Sequence, residues 1–365
     1  MKTKRHIVHL PVYQPGKPVE DVKRELGLAE VIKLASNENP YGSSPAAKQA
    51  IIAEIDNSSI YPDGASVELT AAMAQHLGVQ PNQLIWGNGA DEIILMLARA
   101  YLEPGDETVM ADQTFSQYRH NAEVENAVLV EVPLVNGRQD LPAMLAAVTD
   151  KTKLVWVCSP NNPTGTIVTE NELVGFMDAL PSHVLCVLDE AYCHFVDDVE
   201  YPDGVKLLER YPNLILLRTF SKIYGLAALR IGYGIAHPDV IHSINLVREP
   251  FNTARVSQAA AKAALADQAF VEGCRAHNLE QRDYLQGEFT RLGLPFFPTQ
   301  ANFVLVDVGI PSREAFDRLL RRGFITRANW SKYPTYLRVS IGKAEDNRKF
   351  VTALEEVLKE AAVQR

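Results

Sequence analysis

The run Leu154-Val155-Trp156-Val157-Cys158-Ser159-Pro160-Asn161-Asn162-Pro163-Thr164-Gly165 decides how the rest of the chain reads. Its apolar half shows no polar alternation, as expected of a strand covered on both faces, and the polar residues locked between prolines follow at its carboxyl end. In an open α/β sheet that edge is where ligands bind. Outward from it, apolar runs at 84–87, 108–111, 128–133, 184–188, 214–217 and 231–236 alternate with helical stretches, which predicts an α/β body with a mostly parallel, doubly wound sheet of seven strands. Ala90, Ile93, Ile94, Leu97, Ala98 and Tyr101 recur at helical spacing directly after Gly87-Asn88-Gly89, which predicts a helix over 89–102.

Downstream, a helical stretch near 256–290, a strand at 303–308, a helix near 312–322, strands near 324–327 and 336–341 and a terminal helix from about 345 predict a smaller α+β domain. The chain accordingly divides into 1–35 as an N-terminal arm with part of the small domain, 36–255 as the large domain, and 256–365 as the small C-terminal domain. Pro11, Pro15 and Pro18 predict an extended arm that packs against something to be ordered.

Composition narrows the function class. With 365 residues, 47% of them apolar, the chain has material for a sizeable core, which excludes a disordered or fibrous protein. The 36 Lys and Arg against 45 Asp and Glu leave a net charge of −9 without a basic stripe, which argues against nucleic acid as a partner. Cys158, Cys186, Cys193 and Cys274 match neither a disulfide framework nor a CxxC metal or redox pair, so no metal is expected. No stretch of about 18 apolar residues or signal-peptide pattern occurs, so a soluble, cytoplasmic protein is expected, with no membrane partner.

Three strand ends carry the chemistry. Asn162 follows the run quoted above; Asp189 closes the run 184–188 and leads into Glu190-Ala191-Tyr192; and Thr219-Phe220-Ser221-Lys222 closes the run 214–217, with Arg230 eight residues after the lysine. Each has an ordinary reading by itself: an Asn-Pro turn, a carboxylate capping a helix, a lysine reaching the surface. A buried, unpaired carboxylate is costly, however, so Asp189 calls for a cation or a bound group. An amide, an acid and an amine on three sheet edges point to one site. The Gly87-x-Gly89 pair is superficially similar to a dinucleotide fingerprint, but Glu92 stands where the third glycine belongs, so NAD is discounted.

Asn162-Pro163-Thr164-Gly165, Asp189 to Tyr192 and Ser221-Lys222 with Arg230, in this order, resemble the pyridoxal-phosphate site of fold-type I, class II aminotransferases. With Ala35-Ser36-Asn37-Glu38-Asn39-Pro40, Tyr61-Pro62-Asp63-Gly64 and Gly89-Ala90-Asp91-Glu92, the resemblance spans about residues 10 to 350 and is nearest to the histidinol-phosphate aminotransferase family. It implies pyridoxal 5'-phosphate as cofactor. Lys222 would bond to the cofactor aldehyde and serve as catalytic base, its basicity lowered by burial beside cations. Asp189 would face the protonated pyridine nitrogen, Asn162 and Tyr192 the phenolic oxygen, and Phe115 the ring. Gly89, Ala90 and Asp91 would open the helix that receives the phosphate, joined by Thr219, Ser221 and Arg230, with Tyr61 reaching in from a second subunit of a homodimer.

For the substrate, the resemblance implies Arg338 for an α-carboxylate, because guanidinium matches carboxylate bidentately, and Arg327 with Tyr13 for a phosphate. The implied reaction exchanges the amino group of histidinol phosphate with 2-oxoglutarate, giving imidazole acetol phosphate and glutamate; small-molecule amino donor and 2-oxo acid are the partners. Two departures stand out: Ala228 replaces a glycine, and Arg327 to Tyr333 carries two aromatics and a lysine. Those aromatics keep phenylalanine or tyrosine open as donors, and phosphothreonine decarboxylation shares the fold and an anion-binding end.

Overall fold

The computed structural model describes residues 3–12 and 16–363. Its strands are β1 (Ile32–Lys33), β2 (Leu84–Gly87), β3 (Glu107–Ala111), β4 (Val128–Val132), β5 (Thr152–Cys158), β6 (Leu185–Asp189), β7 (Leu214–Thr219), β8 (Gly232–Ala236), β9 (Phe303–Asp307), β10 (Phe324–Ile325) and β11 (Tyr336–Ser340). Strands β2 to β8 form one seven-stranded sheet in the order β2-β8-β7-β6-β5-β3-β4. All neighbours are parallel except β8, which runs antiparallel to both β7 and β2. The reversal follows from the connection: β7 and β8 are joined directly by residues 220–231, without a helix long enough to carry the chain back across the sheet.

The absence of alternation in the quoted run has its cause in two cores. Val155 and Val157 of β5 join one apolar cluster and Leu154, Trp156 and Cys158 the other, and β6 and β7 divide their residues between the same two clusters. The helix Ala90–Tyr101 supplies Ile93, Ile94, Leu97 and Ala98 to the second.

A third cluster gathers β9, the antiparallel β11 beside it, and the helices Ser312–Arg321 and Ala344–Val363. Strand β1 pairs in parallel with β10, which ties the residues just after the arm to this part of the chain. The helical stretch near 256–290 is two helices, Arg255–Ala266 and Gln268–Arg291, because Asp267 leaves helical geometry and its carboxylate accepts the N–H of Phe270 as a cap. Ala260, Ala261 and Ala264 of Arg255–Ala266 pack in the first core, whereas Leu285 and Phe289 of the following helix pack in the third. The arm is not wholly extended: it holds the short 3-10 turn Arg5–Ile7, and Pro18 precedes the helix Val19–Leu26. Among the described residues no helix is long and apolar enough to cross a membrane, and no cluster of side chains could hold a metal.

Candidate active site

The parallel register sets Cys158 beside Asp189 and Asp189 beside Leu217, so β5 and β6 end level with one another and β7 runs two residues further. Their continuations carry Asn162, Tyr192 and Lys222 out of one edge. Asp189 is buried. Its Oδ2 accepts a 2.6 Å hydrogen bond from the Tyr118 hydroxyl and its Oδ1 one of 3.0 Å from the backbone N–H of Ala191. Burial pushes its carboxyl up to about 6, against the pull of those two donors. The next residue, Glu190, makes a buried ion pair with Arg218, whose Nε donates to Oε2 at 2.8 Å. Asp189 has no cationic partner among the described residues, and a protonated ring nitrogen is the group that would complete it.

Lys222 Nζ donates to the carbonyl of Ser36 at 3.2 Å and lies 5.7 Å from the centre of the Tyr192 ring. Burial of the amine, followed by the charge of Arg338, lowers it to about 8, so about a tenth of it is neutral at pH 7. The Tyr192 hydroxyl accepts from the amides of Asn37 at 3.1 Å and Asn162 at 3.4 Å, which leaves its own proton free to be donated, and burial keeps that proton on. Asn37 takes a left-handed backbone at φ 56, held by Ser340, whose Oγ accepts from the Asn37 N–H at 2.9 Å and donates to its Oδ1 at 2.8 Å.

An anion cradle lies beside this group. Gly89, at φ 80, opens the helix Ala90–Tyr101, and a side chain there would run into the Arg230 guanidinium. That guanidinium donates to Asp91 Oδ2 at 3.2 Å and to Ser221 Oγ at 3.4 Å, and Thr219 Oγ1 accepts the N–H of Ser221 at 3.0 Å. Ala90, Asp91, Thr219, Ser221 and Arg230 thus converge on one helix N-terminus, which suits a phosphate. Gly232 permits the approach, since a Cβ there would stand 2.5 Å from the N of Ala90.

Arg338 is buried, its guanidinium 5.3 Å from the Phe303 ring centre and 5.4 Å from that of Trp330. It donates to Asn162 Oδ1 at 2.6 Å and to the carbonyl of Ala35 at 2.5 Å. Arg327 and Arg338 exchange backbone hydrogen bonds of 3.0 and 2.8 Å in an isolated antiparallel bridge. Directly opposed residues of such a bridge project to the same side, so two cationic side chains share one face.

Phe115 stands just before the helix Ser116–Val124, its ring edge-on to Tyr118 at 5.7 Å. One expected residue lies outside the described residues and another is not gathered here. Tyr13 lies outside the described residues, and Tyr61 is 77% exposed, stacked on Phe251 at 4.8 Å. Sequence reasoning did not single out Tyr118, Asn37, Phe303 or Trp330 as site residues. Tyr118 did leave a trace, one helical turn beyond Phe115.

The family model for aminotransferase class I and II matches residues 29–354. The chain belongs to the class I and II aminotransferase family. It is a transaminase with the fold-type I α/β architecture. The histidinol-phosphate aminotransferase of Brevibacillus brevis is 56% identical over 359 residues, covering 98% of this chain and 99% of that protein. The one from a Geobacillus species is 52% identical over 361 residues, covering 99% of each. Among solved structures, histidinol-phosphate aminotransferase from Sinorhizobium meliloti in complex with pyridoxal-5'-phosphate aligns with a TM-score of 0.91 at 31% identity, over 99% of this chain and 98% of that one.

Proposed function

We propose that this aminotransferase uses pyridoxal 5'-phosphate to exchange an amino group between histidinol phosphate and 2-oxoglutarate, as a step of histidine biosynthesis. The observation that carries the substrate reading is the opposed pair Arg327 and Arg338 on one face of their bridge. Like charges directly opposite one another are unfavourable, so this pair favours a site that receives anions. Histidinol phosphate brings a phosphate dianion, and the 2-oxo acid brings two carboxylates to the same place in turn. The named relatives support that choice.

The residues present fit the cofactor: Asp189 would take the pyridine N–H, the helix N-terminus at Ala90 and Asp91 with Thr219, Ser221 and Arg230 would take the phosphate, and Phe115 would cover the ring. When bound, the cofactor supplies an aldehyde for the amine and a ring that draws off negative charge developing at the substrate carbon. Lys222 Nζ, partly neutral, accepts the proton from that carbon and returns it on the other side of the exchange. Tyr192 donates its hydroxyl proton and Asn162 positions Arg338, which fixes the substrate's anionic arm. Trp330, ring over Arg338, is the feature that keeps phenylalanine or tyrosine as the alternative donor.

Exposed Tyr61, with Ile52, Ile55, Ile60 and Val67 also exposed nearby in sequence, supports a homodimer in which Tyr61 completes the partner's phosphate site. The four free cysteines support a reducing cytoplasm. We read residues 36–255 as the cofactor-binding body, 1–35 as an N-terminal arm with part of the small domain and 256–365 as the rest of that domain, with Arg255–Ala266 attached to the body by its packing. The test is steady-state kinetics with histidinol phosphate, phenylalanine, tyrosine and phosphothreonine as donors and 2-oxoglutarate as acceptor. At least a tenfold preference in kcat/KM for histidinol phosphate is expected; equal or better use of an aromatic amino acid would replace the substrate reading.

A further inference from the structure

Tyr118 is fully buried in the helix Ser116–Val124, and its hydroxyl donates to Asp189 Oδ2 at 2.6 Å, with the Cys158 thiol also beside it. The ring's place is fixed from behind. It stacks flat on Trp156 of β5, with centroids 4.7 Å apart and planes 12° from parallel. The Trp156 indole N–H is itself tethered to Thr108 Oγ1 at 2.8 Å, and Thr108 donates to the carbonyl of Leu154 at 3.1 Å. Strands β3 and β5 therefore hold the phenol in position independently of any bound group. Through Phe115, packed edge-on at 5.7 Å, the same ring touches the aromatic expected to cover the cofactor.

We propose that Tyr118 is a positioning residue that keeps the cofactor's pyridine nitrogen protonated, by donating its hydroxyl proton to Asp189 and so lowering that carboxylate's claim on the shared proton. The proposal rests on the functional reading above and deepens it. With Oδ1 occupied by the Ala191 N–H and Oδ2 by Tyr118, Asp189 has been aimed by the protein and offers its remaining acceptor capacity to the ring N–H. A carboxylate bearing two donors is a weaker base than one bearing a single donor. Losing the phenol hydroxyl moves the proton from the ring nitrogen toward Asp189, and a neutral pyridine draws electrons less well than a pyridinium. The other ionisable groups around this carboxylate are all acids: Cys158 on β5, Asp91 at the start of its helix, and Glu190, Tyr192 and Cys193 beyond β6, and the charges of Asp91 and Glu190 strengthen its hold on a proton, which the Tyr118 and Ala191 donors oppose. Tyr118 is the one side chain among the described residues that donates a hydrogen bond to Asp189.

The test uses the holoenzyme loaded with cofactor labelled with 15N in the ring, since the nitrogen's NMR shift separates pyridinium from pyridine whatever the turnover. In wild type the signal should be that of pyridinium. Tyr118→Phe should move it toward pyridine, and lower kcat about ten- to a hundredfold, the worth of one hydrogen bond to a charged group, with KM little changed. Replacing Tyr118 by a ring-fluorinated tyrosine, a stronger donor of the same shape, should leave the signal at least as close to the pyridinium limit as wild type at any pH where the phenol keeps its proton; this arm decides the matter if the phenylalanine variant folds poorly. A pyridinium signal that Tyr118→Phe leaves unmoved, or that the fluorinated residue moves toward pyridine, overturns this inference alone. A wild-type protein that retains no cofactor overturns the functional reading and this inference with it.

Discussion

Replacing Asp189 by asparagine should make the cofactor-free protein more stable while disabling the enzyme. The carboxyl is buried and its pKa stands at about 6, against an ordinary value of 3.8. A raised carboxyl pKa means that folding favours the protonated form, so its contribution is fully present below the unfolded value and is lost as pH rises through the folded one. The shift of about 2 units corresponds to about 3 kcal/mol of destabilisation at pH 8, falling to roughly half of that at pH 5, where protonation relieves the buried charge. Asparagine keeps an acceptor for the Ala191 N–H and an amide donor for the Tyr118 oxygen, and carries no such pH dependence. Urea unfolding of both apoproteins from pH 5 to 8 reads the difference directly. The expected result is an asparagine variant more stable at pH 8, by a margin that shrinks toward pH 5, and with turnover greatly reduced once cofactor is added. An asparagine variant equal to or less stable than wild type at pH 8 would show that Asp189 finds its cation within the protein, and would refute the reasoning that a bound ring nitrogen is its partner.

The two arginines should separate. Arg338→Lys should impair every donor and acceptor, because a point charge cannot reproduce the fork that holds Asn162 and the Ala35 carbonyl while receiving an anion. Arg327→Ala should cost histidinol phosphate roughly 2 to 5 kcal/mol in kcat/KM and aromatic amino acids much less; a uniform loss across donors would assign Arg327 to the scaffold. Gly232→Ala should cost about 1 to 3 kcal/mol of stability through the clash with the backbone at Ala90, and weaken cofactor binding measured by equilibrium dialysis more than Gly175→Ala, where a Cβ meets nothing within 4 Å.

What was legible in the sequence was whatever depends on local pattern. The seven runs of the large sheet, the helix opening at Gly89 and the three strand ends bearing Asn162, Asp189 and Lys222 all follow from apolar runs broken by polar residues, and the parallel register then brings the ends together. The reversed strand β8 was not legible, because apolar content alone does not orient a strand. The break at Asp267 hid inside a continuous helical pattern, although an aspartate followed by Gln268 is a cap in sequence as well as in structure. Tyr118 escaped for a different reason. Its spacing from Phe115 marks a shared helix face, but which carboxylate that face meets depends on how the helix sits over β5 and β6, and no local signal encodes that. Trp330 was visible as an unusual residue in its loop, yet its place over Arg338 arises only from the bridge between Arg327 and Arg338.

The central claim is that Lys222 carries the cofactor, and reduction of the holoenzyme with borohydride followed by peptide mapping tests it most directly. Its amine combines a pKa of about 8 with a position beside Tyr192 and Ser36, at the edge that also presents Asp189. The expected result is a pyridoxyl group on the peptide containing Lys222 and on no other lysine. A label on a different lysine, or a protein that binds the cofactor and yields no label, would contradict the account.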